Sequence, residues 1–361
     1  MERQIDIPGL EQWGLDASRP VLIAGPCSAE SEEQVMNTAN QLMGTRVQVF
    51  RAGIWKPRTR PGSFEGVGTN GLKWLRRVKE ETGMMTTTEV ANARHVYEAI
   101  KYGIDMLWIG ARTTVNPFAI QEIAEALDGT DIPVLIKNPV NAEVEPWLGA
   151  IERFQKAGIT KIAAIHRGFS SFAETRYRNT PNWQIPIELK RRRPDVPIFC
   201  DPSHIAGRRD LLFEISQKAM DLNYNGLMIE THPDPDKALS DARQQITPQA
   251  LQDLVSRLIL RRVDPGNNGF LNQLEDLRTE IDRLDRELLD ILESRMKVSV
   301  EIGRCKKESS VTILQASRWD QILERCTRMG NERGLSEEFV GKIFSAIHQE
   351  SINTQTRVMN D

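Results

Sequence analysis

Short runs of apolar residues recur along the first two-thirds of the chain, at 21–24, 47–50, 84–88, 106–109, 134–136, 162–165, 198–200 and 227–229. Between them lie longer stretches with helical periodicity, among them 32–43, 71–81, 93–101, 117–127 and 147–157. The short runs read as strands buried on both faces, and the periodic stretches as helices that cover them. Strands alternating with helices predict a parallel sheet, and eight of them over about 250 residues are what closes a (β/α)₈ barrel. Thr247 and Pro248 supply an N-cap and a first helical residue, which predicts a last barrel helix over 248–262. The run Asp264-Pro265-Gly266-Asn267-Asn268-Gly269 is dense in breakers, and no strand-like run follows it. The pattern predicts a barrel domain over 1–265, a linker over 266–270 and an all-α domain of three helices over 271–361.

The first of those helices, about 271–307, carries Leu274, Leu277, Ile281, Leu284, Leu288, Ile291, Arg295, Val298, Ile302 and Cys305 at three-four spacing. That is a coiled-coil seam, with one charged member out of place at Arg295. A charge in such a slot needs a partner or a ligand. Lys306 returns to nearly the same helix face, with its Cα about 16 Å along the axis from that of Arg295, so the two side chains could close on a small dianion. In the last helix Val340, Phe344 and Ile347 make a stripe that Ser351 and Gln355 continue with polar groups, the pattern of a pocket inside a helical bundle. The plainer alternative is a dimerising coiled coil in which Arg295 pairs with Glu287 or Asp290.

Composition narrows the field. The 47 basic and 50 acidic residues are interspersed and leave a formal charge of −3, with no basic stripe for a nucleic acid. No run approaches the roughly 20 apolar residues that span a bilayer, and the mixed, polar start lacks the layout of a signal peptide. Cys27, Cys200, Cys305 and Cys326 show no framework spacing and read as reduced thiols of a cytoplasmic protein. Cys200, Cys305 and Cys326 are expected in the core.

In a barrel of this kind, side chains just past the C-terminal ends of the strands face the active site. In order, those positions hold Gly25-Pro26-Cys27-Ser28; Arg51 with Lys56-Pro57-Arg58-Thr59; Glu89; Gly110-Ala111-Arg112; Lys137-Asn138; His166-Arg167-Gly168; Asp201-Pro202-Ser203-His204; and Glu230-Thr231-His232-Pro233, with Asp241 downstream. The cations Arg51, Lys56, Arg58, Arg112, Lys137 and Arg167 on one mouth imply phosphates or carboxylates. Cys27, His204, Glu230 and Asp241 offer a thiolate, an imidazole and two carboxylates, a set suited to one borderline divalent metal such as Mn²⁺, Fe²⁺, Co²⁺ or Zn²⁺. Each residue has a plain reading by itself, a buried thiol, a loop histidine or a surface acid, and convergence on one face is what favours the chemical one. Gly66, Gly68 and Gly71 match a dinucleotide fingerprint in spacing, but they follow a polar Pro/Arg loop where that motif needs a buried strand.

Gly-Pro-Cys-Ser, Lys-Pro-Arg-Thr, Gly-Ala-Arg, Asp-Pro-Ser-His and Glu-x-His-Pro with Leu-Ser-Asp downstream, in this order, resemble the 3-deoxy-D-arabino-heptulosonate 7-phosphate (DAHP) synthases over about residues 15–262. The subtype resembled is the compact one related to the octulosonate 8-phosphate synthases. The resemblance implies that Cys27, His204, Glu230 and Asp241 hold the metal. It implies that Arg51, Lys56, Arg112, Lys137 and Arg167 bind phosphoenolpyruvate, with Lys56 a proton donor. Arg58 and Thr59 would hold the phosphate of erythrose 4-phosphate, with Asp201 near its hydroxyls. The segments Lys137-Asn138-Pro139-Val140 and His166-Arg167-Gly168-Phe169 depart from the family's forms. Lys-Pro-Arg-Thr matches the four-carbon acceptor's pattern, and an octulosonate synthase is the alternative. Nothing ahead of the first strand is long enough for a separate regulatory domain.

From Leu274 to about Met359 the chain resembles the all-helical chorismate mutases, at Leu277-Arg278, Arg295, Lys306, Arg318, Ser351 and Gln355. The resemblance implies a cofactor-free rearrangement of chorismate to prephenate, with Arg295, Lys306 and Gln355 acting on the substrate and Arg278, Arg318 and Ser351 binding it. It also implies interlocked chains in which Arg278, roughly 80–100° off the Arg295 face, reaches the partner's pocket. Gln315 and Trp319 stand where the family usually has an Asp and a Glu, and modest turnover is expected. The expectation is a bifunctional, at least dimeric enzyme of aromatic biosynthesis, the helical domain also carrying feedback by chorismate or prephenate. The alternative for that domain is a ligand-sensing or dimerisation module only.

Overall fold

In the computed structural model, which describes residues 7–56, 62–172, 175–262, 268–314 and 316–360, eight parallel strands close into one barrel in chain order. They are β1 (Val21–Gly25), β2 (Val47–Arg51), β3 (Met85–Val90), β4 (Met106–Ile109), β5 (Val134–Lys137), β6 (Ile162–His166), β7 (Ile198–Cys200) and β8 (Gly226–Glu230), and β8 pairs back onto β1. The barrel's helices are α1 (Glu32–Leu42), α2 (Asn70–Thr82), α3 (Ala93–Lys101), α4 (Ala111–Thr114), α5 (Pro117–Ala126), α6 (Glu145–Lys156), α7 (Gln184–Arg192), α8 (Pro202–Ala206), α9 (Leu212–Asp221) and α10 (Pro248–Ser256).

Two apolar clusters follow from the strand period of two. Leu22, Ala24, Leu107, Ile109, Val134 and Ile136 face outward and pack under the helices. Ile23, Val49, Trp108, Leu135, Ile165, Phe199 and Met228 fill the lumen, joined by Leu10, Trp13 and Leu15. A barrel interior is thus a packed core and not a pore.

α10 is shorter than the periodicity predicts. It stops at Ser256, because the Gln217 amide bonds both the N–H and the C=O of Ile259 at 2.9 Å. That side chain supplies the partners a further turn would have supplied, and Ile259 and Leu260 stay exposed.

The chain divides into Met1–Val263 and Asp264–Asp361. The second unit holds α11 (Asn268–Glu308), α12 (Ala316–Asn331) and α13 (Glu337–Asn360), with α13 packed on both other helices. Along α11, Leu277, Ile281, Leu284, Leu288, Ile291, Val298 and Ile302 lie 43–65% exposed. Arg295 leaves that stripe and turns to α13. Cys305, expected in the core, is exposed with the stripe, whereas Cys200 and Cys326 are buried. Among the described residues no helix is long and apolar enough to cross a membrane.

Candidate functional site

One period beyond the lumen layer, strand parity aims the next side chain of each strand at the barrel mouth. Val49 is followed by Arg51, Leu135 by Lys137, Ile165 by Arg167, Phe199 by Asp201 and Met228 by Glu230. The site is therefore the lumen's uppermost layer. Gly25 holds the β1 place in it with φ +146°, and a Cβ there would lie 2.1 Å from the Arg51 carbonyl oxygen.

Four of these ionised groups pair across the mouth. Arg51 Nη2 lies 3.1 Å from Glu230 Oε1, and Lys137 Nζ lies 2.9 Å from Asp201 Oδ2. Cys27 is fully buried and its Sγ sits 3.4 Å from Asp241 Oδ2. Lys56 Nζ donates to the Cys27 carbonyl at 2.7 Å and to Sγ at 3.2 Å. Donor atoms of Cys27, Glu230 and Asp241 lie within 4.8 Å of one another. His204 stands just outside that group, with Nδ1 2.8 Å from Asp201 Oδ2 and 3.8 Å from Glu230 Oε1. Arg167 Nη1 donates to Asn179 at 2.7 Å. Arg112 is exposed on α4, near enough to Arg167 to influence its charge. Arg58 and Thr59 lie outside the described residues.

Several contributors come from loops, where strand parity is silent. Arg178 Nη1 reaches Asp241 at 2.9 Å and Gln244 at 2.7 Å, while Gln244 donates to Glu230 Oε2 at 2.7 Å. Gln245 accepts from the Cys27 N–H at 3.0 Å, and Asn179 donates to the His204 carbonyl at 2.6 Å. Asp241 itself is held at φ 47°, ψ 37°, a left-handed conformation uncommon outside glycine. Only the charge of Arg178 signalled it in the sequence, and its loop position gave no reason to single it out.

Burial, and then the Glu230 charge, push the Cys27 thiol up to about 11. Burial pushes the Glu230 carboxyl up as well, but His204 and Arg51 outweigh it and hold it below its ordinary range. Burial is likewise outweighed at Asp241, chiefly by Arg178. Burial pulls the Arg167 guanidinium down to about 10. Arg51 Nε and Nη1 are buried without a hydrogen-bond partner among the described residues, and His204 Nδ1 and Glu230 Oε1 are buried with only ion-pair contacts there, the nearest to Asp201 and Arg51. Folded proteins leave few such atoms. A thiol, an imidazole and two carboxylates, with partners still wanting, fit one divalent cation beside an anionic ligand.

In the helical unit, Arg295 Nη1 donates to Ser351 Oγ at 2.7 Å, not to Glu287 or Asp290. Ser299 joins Ser351 at 3.3 Å, and Lys306 Nζ donates to the Ile313 carbonyl at 2.5 Å. Gln355 is buried with Oε1 unpartnered among the described residues. Trp319 stacks on His348, ring centroids 4.1 Å apart. Burial, then Arg295 and Lys306, pull the His348 imidazole down. Arg318 is exposed and donates to Gln321, and Arg278 is exposed beside Glu275 at 3.6 Å. Gln315 lies outside the described residues.

A closed parallel barrel with this mouth defines a (β/α)₈ protein that gathers buried cations around a cation-competent donor set. Residues 12–259 match the DAHP synthetase I family and residues 277–356 match chorismate mutase type II. A phospho-2-dehydro-3-deoxyheptonate aldolase of Thermotoga maritima is 37% identical over 237 residues, covering 66% of this chain and 68% of that protein. A 2-dehydro-3-deoxyphosphooctonate aldolase of Legionella pneumophila is 30% identical over 249 residues, covering 63% of this chain and 86% of the relative. The crystal structure of the Thermotoga maritima DAHP synthase superposes with a TM-score of 0.60 at 36% identity, over 66% of this chain and 67% of that one. The chain belongs to the DAHP synthetase I family and carries a chorismate mutase type II domain after its barrel.

Proposed function

We propose that the barrel condenses phosphoenolpyruvate with erythrose 4-phosphate to DAHP and inorganic phosphate, and that the helical unit rearranges chorismate to prephenate. The observation that carries the first activity is the layer of paired, buried charges around Cys27, since a packed lumen gains nothing from ions unless they serve a ligand. Arg51 and Lys137, with Arg167 and Arg112 at the rim, hold the phosphate and carboxylate of phosphoenolpyruvate. Arg58 and Thr59 take the phosphate of erythrose 4-phosphate, and Asp201 its hydroxyls. C3 of phosphoenolpyruvate bonds to the aldehyde carbon, water adds at C2, and the C2–O bond to phosphate breaks. Lys56, protonated beside Cys27, gives its proton to the new alkoxide. Cys27, His204, Glu230 and Asp241 would hold one divalent cation, Mn²⁺, Fe²⁺, Co²⁺ or Zn²⁺, whose Lewis acidity polarises the aldehyde.

For the mutase, Arg295, Lys306, Ser351 and Gln355 embrace the two carboxylates and the breaking ether oxygen, Arg318 closes the pocket, and Arg278 enters from a second chain. Such chemistry needs placed charges and no cofactor. The exposed stripe of α11 supports a homodimer, because monomers rarely leave so long an apolar stripe in water. Chorismate or prephenate bound to this unit would also restrain the barrel, if the two arrangements differ in affinity for it. The phosphorylated substrates suit a cytoplasmic enzyme.

The deciding experiment follows phosphoenolpyruvate consumption by chelator-stripped, then Mn²⁺-restored protein, with erythrose 4-phosphate or arabinose 5-phosphate as acceptor and prephenate titrated in. Metal-dependent turnover preferring the four-carbon acceptor, suppressed by prephenate, supports every element. Preference for arabinose 5-phosphate makes the barrel an octulosonate synthase, and indifference to prephenate removes the feedback role. Chorismate left unconverted by the full chain reduces the helical unit to a sensor or a dimerisation module.

A further inference from the structure

Directly beneath the mouth, Trp108 is a fully buried side chain in the same lumen cluster as Ile23, Val49, Leu135, Ile165, Phe199 and Met228. A filler of that cluster needs no polar atom, yet the indole N–H must be satisfied when buried. It donates to Glu89 Oε2 at 2.9 Å. Glu89 fits there because β4 continues into Gly110, where a Cβ would lie 2.2 Å from Glu89 Oε1. With its edge fixed by Glu89, the ring presents its face to two cations: Arg51 Cζ is 4.8 Å and Lys137 Nζ 5.9 Å from the centroid.

We propose that Trp108 is a positioning residue for anion binding, its indole face holding Arg51 and Lys137 in place for one anionic substrate to bridge. The ligand class rests on the reading above, in which it is phosphoenolpyruvate. Two like charges in a dry cleft repel, and each is already paired with one carboxylate, Arg51 with Glu230 and Lys137 with Asp201. A third carboxylate would steady them only by cancelling their charge. An aromatic quadrupole attracts both without neutralising either, and it attracts more strongly where water is excluded. Arg51 keeps Nε and Nη1 buried and without hydrogen-bond partners among the described residues, two donors that a bridging anion would satisfy.

The test replaces Trp108 alone with mono-, di- and trifluorinated tryptophan in the full-length protein, keeping its shape and N–H while weakening the negative face. Kinetics give KM for each substrate and kcat, and calorimetry gives the affinity for phosphoenolpyruvate and for inorganic phosphate. The expected result is a stepwise loss of anion affinity reaching about tenfold, roughly 1.4 kcal/mol, with KM for the aldehyde and kcat little changed. A Trp108→Leu variant should lose at least as much anion affinity, and Trp108→Phe should recover part of it. Flat affinities across the fluorinated series would overturn the proposal and leave Trp108 a core filler. So would equal rises in KM for both substrates. If the wild-type protein consumes no phosphoenolpyruvate, the functional reading fails, and phosphate affinity across the series still decides the role of the ring.

Discussion

The two units gather their cations by opposite means, Arg51 and Lys137 of the barrel being buried and Arg295 and Lys306 of the helical unit only half-buried. The barrel closes on itself, so each strand end delivers its side chain to one mouth, and Arg51–Glu230 and Lys137–Asp201 pair within a single chain. The helical unit brings Arg295 to Ser351 in one chain but leaves Arg278 and the stripe from Leu277 to Ile302 in solvent. A closed sheet has no free edge and supplies its own walls. A long single helix buries its seam only against another helix. The barrel site therefore gathers its charges within one chain, whereas the helical unit leaves Arg278 and an apolar stripe exposed.

The comparison breaks most sharply at the metal candidates. Cys27→Ala or Glu230→Gln should lower condensation about a thousandfold or more, since Lewis-acid stabilisation is worth several kcal/mol. Chorismate conversion by the same preparation should stay within twofold, and parallel losses in both assays would show that the units do not act separately. A charge in the α11 seam should do the reverse. Leu284→Glu is expected to shift sedimentation from dimer to monomer and cut mutase turnover by about thirtyfold or more, the cost of about 2 kcal/mol of lost seam burial. A variant that stays dimeric with full turnover would refute assembly through this face. Ser351→Ala removes one hydrogen bond to a guanidinium, worth about 1.5–3 kcal/mol. Mutase kcat/KM should fall about tenfold or more with condensation untouched.

The smallest expected effect, taken per pH unit, concerns acid stability. Burial pulls His166, enclosed between the Pro181 carbonyl and Tyr224, down to about 3. An unfolded imidazole takes up its proton near 6.5, so between pH 6.5 and 3 the unfolded chain binds more protons than the native one. Stability conferred by neutral His166 is thus full above pH 6.5 and is lost as pH falls, by about 1.4 kcal/mol per unit. Denaturant titrations of His166→Gln should give a shallower acid slope by that amount. An unchanged slope would mean that the imidazole is not held neutral. His348 in the helical unit is only half-buried and should contribute less.

Much of the barrel was legible because burial on both faces leaves continuous apolar runs, and because parity then says which residue after each run enters the lumen. Arg51, Lys137 and Glu230 could be located by counting in twos. Arg178, Gln244 and Asn179 could not, since loops have no period and their reach to Asp241, Glu230 and Arg167 depends on how the chain returns over the mouth. Trp108 was visible only as one more apolar residue of its strand. The end of α10 was misjudged because Gln217, distant in sequence, supplies the partners of Ile259. Arg295 stood out from its heptad, but the choice of Ser351 over Glu287 or Asp290 required α13 to be in place.

The sequence by itself determined the alternation of strands and helices, the change of character near residue 266, and the chemical types gathered at the strand ends. Those properties are periodic or local, and period and composition survive without coordinates. Only the tertiary structure decided which charges pair, which thiol is buried beside which carboxylate, and that an indole lies beneath two cations. Such contacts join residues tens to hundreds of positions apart, and their geometry follows from barrel closure and packing, which no local pattern encodes.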